Sequence, residues 1–231
     1  MRCTVFGTGY LGATHAAGMA ELGHEVYVAN SRGPASLAEL AKETGATPVT
    51  IAEAARAGEV VVVTIPEAKI PDLPKDLFSD VPESVVVIDT GNYYPRERDG
   101  RIDEIEGGMP ESRWVEQQLH RPVVKAFNNI YAEHLLKSGR PEGAAGRIAL
   151  PIAGDDAKAK EVVRGLINEL GFDPVDAGGL DDSWRQQPGT PVYAGDFDAA
   201  GVRRGLADAK RDRPPRWQAT EKSPGSFGRG A

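Results

Sequence analysis

Gly7-Thr8-Gly9-Tyr10-Leu11-Gly12 fits G-x-G-x-x-G, a spacing whose chemistry is the cradling of phosphate. In that pattern the first glycine permits a tight strand-to-helix turn, the second lets the backbone approach a pyrophosphate, and the third lets a helix pack closely on the strand. The free N–H groups and positive dipole end of the helix then face the phosphates. About twenty residues beyond the glycines, a carboxylate usually accepts hydrogen bonds from a ribose 2′-OH. This chain carries Asn30-Ser31-Arg32 there instead. Ser31 is a small donor, and the planar fork of Arg32 suits a phosphate. A carboxylate would repel a 2′-phosphate, so its absence beside Arg32 favours NADP(H) over NAD(H). A solvated loop cation is the competing reading of Arg32. Ser36 is a further candidate donor.

The elements that must position these groups are legible around them. Cys3 to Phe6 is a short apolar run that leads into the glycines. Ala13 to Leu22 has helical character, Gly23-His24 punctuates it, and Glu25 to Ala29 reads as a second strand. Pro34 to Gly45 and Ile51 to Ala57 read as helices. Glu59 to Ile65 is a β-branched run without alternation, as expected of a strand buried on both faces of a parallel sheet, and Pro66 stops it. Val85 to Asp89 and the shorter Pro122 to Ala126 continue the series, with a helix expected over Met109 to Leu119. Arg147 to Ala153 reads as a strand near a sheet edge because of Pro151. Asp155-Asp156 caps a helix over Ala157 to Leu170, and Phe172 to Ala177 is the last strand. Such β-α-β alternation predicts an α/β fold with one doubly wound, mostly parallel Rossmann-type sheet and a short C-terminal helical and loop appendage. The expected organisation is a nucleotide-binding domain over residues 1–180, an arm over 181–212, and a disordered tail over 213–231. A helix over Phe197 to Ala209 is expected within the arm. The tail is rich in proline, glycine and charge.

Composition narrows the function classes. The 231 residues carry a formal net charge of −7, which argues against nucleic acid as the main partner. No apolar run approaches membrane-spanning length, and Met1-Arg2 runs directly into the first strand, which leaves no room for a signal peptide. The single cysteine, Cys3, lies inside that strand and reads as a small buried hydrophobe. A cytoplasmic protein with no metal site is the expectation. Arg203, Arg204, Lys210, Arg211, Arg213 and Arg216 crowd the C-terminal part, either as a solvated face or as a local site for an anionic ligand.

The chain resembles the NADP oxidoreductase family that includes the reductases dependent on the deazaflavin coenzyme F-420. It is also similar to the cytosolic domain of the six-transmembrane metalloreductases. The residues that carry the likeness are Gly7 to Gly12, Ser31-Arg32, Thr64-Ile65-Pro66, Val124-Lys125-Ala126-Phe127-Asn128, and Ala153-Gly154-Asp155-Asp156 followed by Asp176 to Leu180. The resemblance implies hydride transfer between NADP(H) and a flavin-like or deazaflavin partner, in a homodimer. It places Thr8, Gly9, Tyr10, Leu11 and Gly12 at the pyrophosphate and Ser31 and Arg32 at the 2′-phosphate. Thr64, Ile65 and Pro66 line the cofactor, and Ala126, Phe127 and Asn128 flank the nicotinamide. The likeness stops after Leu180, where the F-420 reductases have an apolar helical segment and this chain has Trp184 to Gly189 and a basic stretch. No long apolar segment follows, so a membrane metalloreductase is excluded.

Hydride transfer between two ring systems needs stacking and exclusion of water, with the cofactors carrying the chemistry. No catalytic side chain is therefore predicted. His15, His24, His120 and His134 each stand isolated in sequence, with His134 the nearest to the Ala126–Asn128 loop. Asn92, Tyr93 and Tyr94 read equally as substrate contacts or as loop packing, and Trp184-Arg185-Gln186-Gln187 equally as a clasp for a planar, anionic acceptor or as an anchor for the arm. Reduction of another small substrate (a quinone, carbonyl or imine) and a non-catalytic NADPH sensor are the alternative readings.

Overall fold

The structure is a computed structural model and describes residues 1–224. Its centre is a six-stranded parallel sheet in the order β3-β2-β1-β4-β5-β6. The strands are β1 (Arg2–Phe6), β2 (Glu25–Ala29), β3 (Thr47–Pro48), β4 (Val60–Val63), β5 (Val86–Asp89) and β6 (Val124–Lys125). Helices α1 (Tyr10–Glu21), α2 (Ala38–Thr44), α3 (Ile51–Ala57), α4 (Asp103–Glu106), α5 (Glu111–Leu119) and α6 (Ala132–Lys137) connect or follow them. Val60 and Val62 pack in one core cluster with Cys3, Val5 and Ile88, whereas Val61 and Val63 pack in another with Phe6, Val87 and Trp114. Successive side chains point to opposite faces of a strand. Because both faces are covered, β4 has no polar position, and that is why its sequence shows no alternation.

Register fixes the working edge of this sheet. Ala29 pairs with Phe6, Phe6 with Val63, Val63 with Asp89, and Asp89 with Lys125. The residues that follow these five therefore start from one line at the carboxyl ends of the strands, where ligands of open α/β sheets bind.

The expectation of one continuous sheet through residue 180 is corrected. β7 (Ala149–Ile152) and β8 (Asp173–Asp176) form a separate two-stranded parallel sheet, with α7 (Ala157–Glu169) between them in sequence. An antiparallel bridge between Lys125 and Ala153 ties it to β6. Pro151 and Pro174 lie within these strands and lack the N–H that another neighbouring strand would need. α8 (Ala199–Asp208) then packs on the small sheet through Val202 and Leu206. Pro34–Leu37 is a 3-10 turn ahead of α2, which shortens the helix expected from Pro34.

Disorder from Arg213 onward is also corrected for the part described. Residues 213–224 are packed against the domain; residues 225–231 lie outside the described residues. Trp217 sits 5.8 Å from the Tyr94 ring and 5.7 Å from that of Tyr193, and Arg96 donates to the carbonyls of Pro215 and Gln218 at 2.6 and 3.1 Å. One aromatic and a few guanidinium bonds hold a stretch whose composition alone gives no core. Among the described residues no helix is long and apolar enough to cross a membrane.

Candidate functional site

The turn between β1 and α1 is built so that only glycine fits at positions 7 and 12. Gly7 has φ +87°, and a Cβ there would lie 2.6 Å from Ile65 Cγ2 and 2.9 Å from the Thr64 carbonyl. A Cβ on Gly12 would lie 1.9 Å from the Gly7 carbonyl oxygen and 2.6 Å from Thr64 Oγ1. Thr64 is the pin between strands, its hydroxyl directed at the carbonyls of Phe6 (2.9 Å) and Gly7 (2.7 Å). Gly9 is the opposite case, with nothing within 4 Å of a Cβ position. It caps α1 with no side-chain acceptor. The first-turn N–H groups thus open onto free space, as a phosphate cradle requires.

At the end of β2 the loop is organised by Asn30, a residue to which sequence reading gave no role. Its Nδ2 donates to Thr8 Oγ1 (3.3 Å) and Ser36 Oγ (3.0 Å), and its Oδ1 accepts from the Arg32 amide at 2.9 Å. An Asx side chain bonding the backbone two residues on is the available sequence signal. Arg32 is exposed, and its guanidinium has no ion pair among the described residues. Gly7, Thr8, Gly9, Ser31, Arg32, Ile65 and Pro66 line one cleft of about 470 Å³, together with Asn30, Lys69 and Leu73. Tyr10 lies 70 % exposed at its margin-forming helix, Leu11 packs into the core, and Thr64 and Gly12 sit behind the turn.

Beside this cleft the sheet ends in buried charge, which no sequence argument anticipated. Lys125 is fully buried and donates to Asp89 Oδ2 at 3.0 Å and the Gly91 carbonyl at 2.6 Å. Asp89 also accepts from Ser112 Oγ (2.7 Å) and the Gly91 amide (2.8 Å). Glu67 accepts from Arg98 at 2.8 Å through Oε2, while its Oε1 has no partner among the described residues. Glu111 accepts from Arg213 at 2.9 Å and from the Tyr93 amide at 3.2 Å. Burial, then Glu111 and Asp99, push the Glu67 carboxyl well above the usual range. Burial opposes the charge on Lys125, but Asp89, Glu111 and Glu67 outweigh it and raise its pKa. The physical result is a network that favours the charged form of Lys125 and disfavours that of Glu67.

The comparisons with known proteins bear on the first of these two regions. Residues 2–93 match the family described as NADP oxidoreductase, coenzyme F-420-dependent. Over these residues the chain is similar to this family. YjhV of Escherichia coli is 48 % identical over 91 residues, which is 39 % of this chain and 59 % of that relative; the match thus spans less than two thirds of the curated relative. A hypothetical protein of Sinorhizobium meliloti has a crystal structure similar to this one with a TM-score of 0.72 and 29 % identity, covering 85 % of this chain and 95 % of that one. A crystal structure from an Arthrobacter species, provisionally named an F-420-dependent NADP reductase, aligns with a TM-score of 0.64 and 25 % identity over 78 % and 86 % of the two chains. An imine reductase of Pseudomonas shares the fold at 18 % identity and a TM-score of 0.52, over 77 % of this chain and 55 % of its own.

The glycine turn, Ser31-Arg32 and Ile65-Pro66 line one cleft. Ala126, Phe127 and Asn128 do not join them in the cleft. All three are buried. Phe127 holds φ +62° and stands edge-on to the His15 ring, with centroids 4.9 Å apart. Asn128 donates to Asn92 Oδ1 (3.0 Å) and the Gln186 carbonyl (2.7 Å), and its Oδ1 accepts from Gln186 Nε2 (2.9 Å). The Trp184–Gln187 set therefore divides, with Gln186 tying the arm to β6 and Arg185 turned to Asp182 at 3.3 Å. The histidines are less isolated than their spacing implied. His24 pairs with Glu169 at 3.0 Å and His134 with Asp196 at 2.6 Å. Burial lowers His15 to about 4, and His120 closes α5 in a left-handed conformation.

Proposed function

We propose that the protein transfers a hydride between NADP(H) and a small flavin-like or deazaflavin acceptor. The observation that carries the reading is the end of β2, where an exposed Arg32, without an ion pair among the described residues, and Ser31 share one cleft with the open Gly9 turn, and the carboxylate in the cleft lining, Asp72, is paired with Lys69 at 3.1 Å. The N–H groups of Thr8 to Gly12 would bind the pyrophosphate, and Ser31 and Arg32 the 2′-phosphate. Asn30 holds that loop in shape from below, and Thr64 fixes the turn against β4. Ile65 and Pro66 give the cleft an apolar wall that excludes water. Bound NADP(H) supplies the hydride at its nicotinamide. The names of the similar proteins support this reading, since one is provisionally an F-420-dependent NADP reductase.

The test is NADPH oxidation followed at the nicotinamide absorbance, with F-420, FMN, FAD and a quinone offered separately. Turnover with F-420 or a flavin, and much weaker use of NADH, is the expected result. Saturable NADPH binding without turnover on any of the four would refute the acceptor assignment.

A further inference from the structure

A second cavity, of about 450 Å³, lies under the C-terminal segment and shares no lining residue with the dinucleotide cleft. Its apolar walls include Ile105, Met109 and Trp184, and its polar walls include Gln187, Arg211 and Arg213. Gln187 is 6 % exposed, and its Nε2 has no hydrogen-bond partner among the described residues. The same is true of Nη1 of Arg213, whose other terminal nitrogen is committed to Glu111 at 2.9 Å and reaches Gln187 Oε1 at 3.4 Å. Two buried donors without a partner among the described residues thus belong to adjoining side chains that line one cavity. A buried donor left unmet costs about 1–3 kcal/mol, more when the group is charged.

Three cations, Lys210, Arg211 and Arg213, and two carboxylates border the cavity. Arg211 lies 5.6 Å from the Trp184 ring centroid, and neither it nor Lys210 has a carboxylate partner among the described residues. The carboxylates are those of Glu106 and Asp212, and Glu106 Oε1 is occupied by the Ala219 amide at 2.9 Å. Room is left where Gly108 bears no side chain, since a Cβ there would meet nothing within 4 Å. Unmet N–H donors, free cations and an indole wall together select a flat apolar body with a carboxylate.

We propose that this cavity is a binding site for a small aromatic carboxylate, distinct from the dinucleotide cleft. The site goes beyond the hydride-transfer reading and does not rest on it. Calorimetric titration of the full chain with benzoate, benzamide and acetate separates the two requirements, because benzamide keeps the ring without the charge and acetate the charge without the ring. Benzoate should bind saturably, with both relatives at least about tenfold weaker. Arg211→Ala and Gln187→Leu should each weaken benzoate by about tenfold or more. NADPH titration of the same variants checks that they are folded. Absence of saturable benzoate binding, equal binding of all three probes, or unchanged benzoate affinity in both variants overturns the site. Benzoate binding without any NADPH binding would instead leave this site standing and sink the oxidoreductase reading.

Discussion

His15 should make the protein acid-sensitive in a way that a single substitution removes. Its ring is 1 % exposed on the inner face of α1, where Nδ1–H donates to the Leu11 carbonyl at 2.9 Å and Nε2 has no partner among the described residues. Protonation would place a second N–H and a full charge in a space that offers neither an acceptor nor a carboxylate. Burial accordingly lowers the group from 6.5 to about 4. The unfolded chain therefore binds a proton near pH 6.5 that the folded chain refuses until about pH 4. Stability is thus highest above 6.5 and falls as the pH drops through that window. At about 1.4 kcal/mol per pH unit, the loss amounts to about 3 kcal/mol by pH 4, a large share of the usual stability of a domain. His15→Leu keeps an apolar body against Phe127 and has nothing to protonate. Urea denaturation of both proteins at pH 7.5, 6 and 5 gives the comparison, because every other titrating group cancels in the difference. The variant should gain on the parent steadily as the pH falls. Parallel stability profiles would refute the reasoning, since they would mean that His15 titrates alike in both states.

Gly12→Ala should lower NADPH affinity by about tenfold or more, because a Cβ 1.9 Å from the Gly7 carbonyl forces α1 away from the strand; fluorescence titration against the parent measures it, and unchanged affinity contradicts the assignment of the turn. Arg32→Glu should raise the KM for NADPH by about tenfold while sparing NADH, through repulsion of a 2′-phosphate; equal losses with the two cofactors would place Arg32 elsewhere. Lys125→Met leaves Asp89 buried without its counter-charge and should destabilise by about 3–5 kcal/mol, read by chemical denaturation. Glu67, whose carboxyl is raised in the folded state, contributes stability below the ordinary carboxylate range that is lost as the pH rises through its raised value. Glu67→Gln should flatten that part of the profile in thermal unfolding at pH 5 and 8, and an unaltered slope would show Glu67 to be ionised throughout.

What the sequence made legible was what local chemistry controls. Gly7, Gly9 and Gly12 have roles fixed by spacing alone, and the Val60–Val63 run announces burial on two faces because no polar residue interrupts it. The helix expected over Ile51 to Ala57 forms over those residues, and the structure shows a capping box of Thr50 and Glu53 at its start. Non-local pairing was invisible. Glu67, Asp89, Glu111 and Lys125 are spread over four segments and look like ordinary surface charges until the register of β4, β5 and β6 brings their strand ends into line. The same holds for Asn128, which the likeness to known reductases placed at the nicotinamide but whose amide is committed to Asn92 and Gln186. Arg213 and Trp217 show the limit of composition, because two well-placed anchors order a segment that is polar on average.

Lys125 occupies a position with an unusual double duty. Its main chain forms both hydrogen bonds of the bridge to Ala153, at 2.8 and 3.1 Å, and its side chain closes onto Asp89. The small sheet and the charge network are therefore welded at a single residue, and neither can shift without dragging the other. A displacement of β7 would draw the ammonium out of its carboxylate, exposing a penalty that the buried pair otherwise suppresses. That makes the two-stranded sheet a fixed strut rather than a loose appendage, and the rigidity of the working edge depends on strands that do not belong to it.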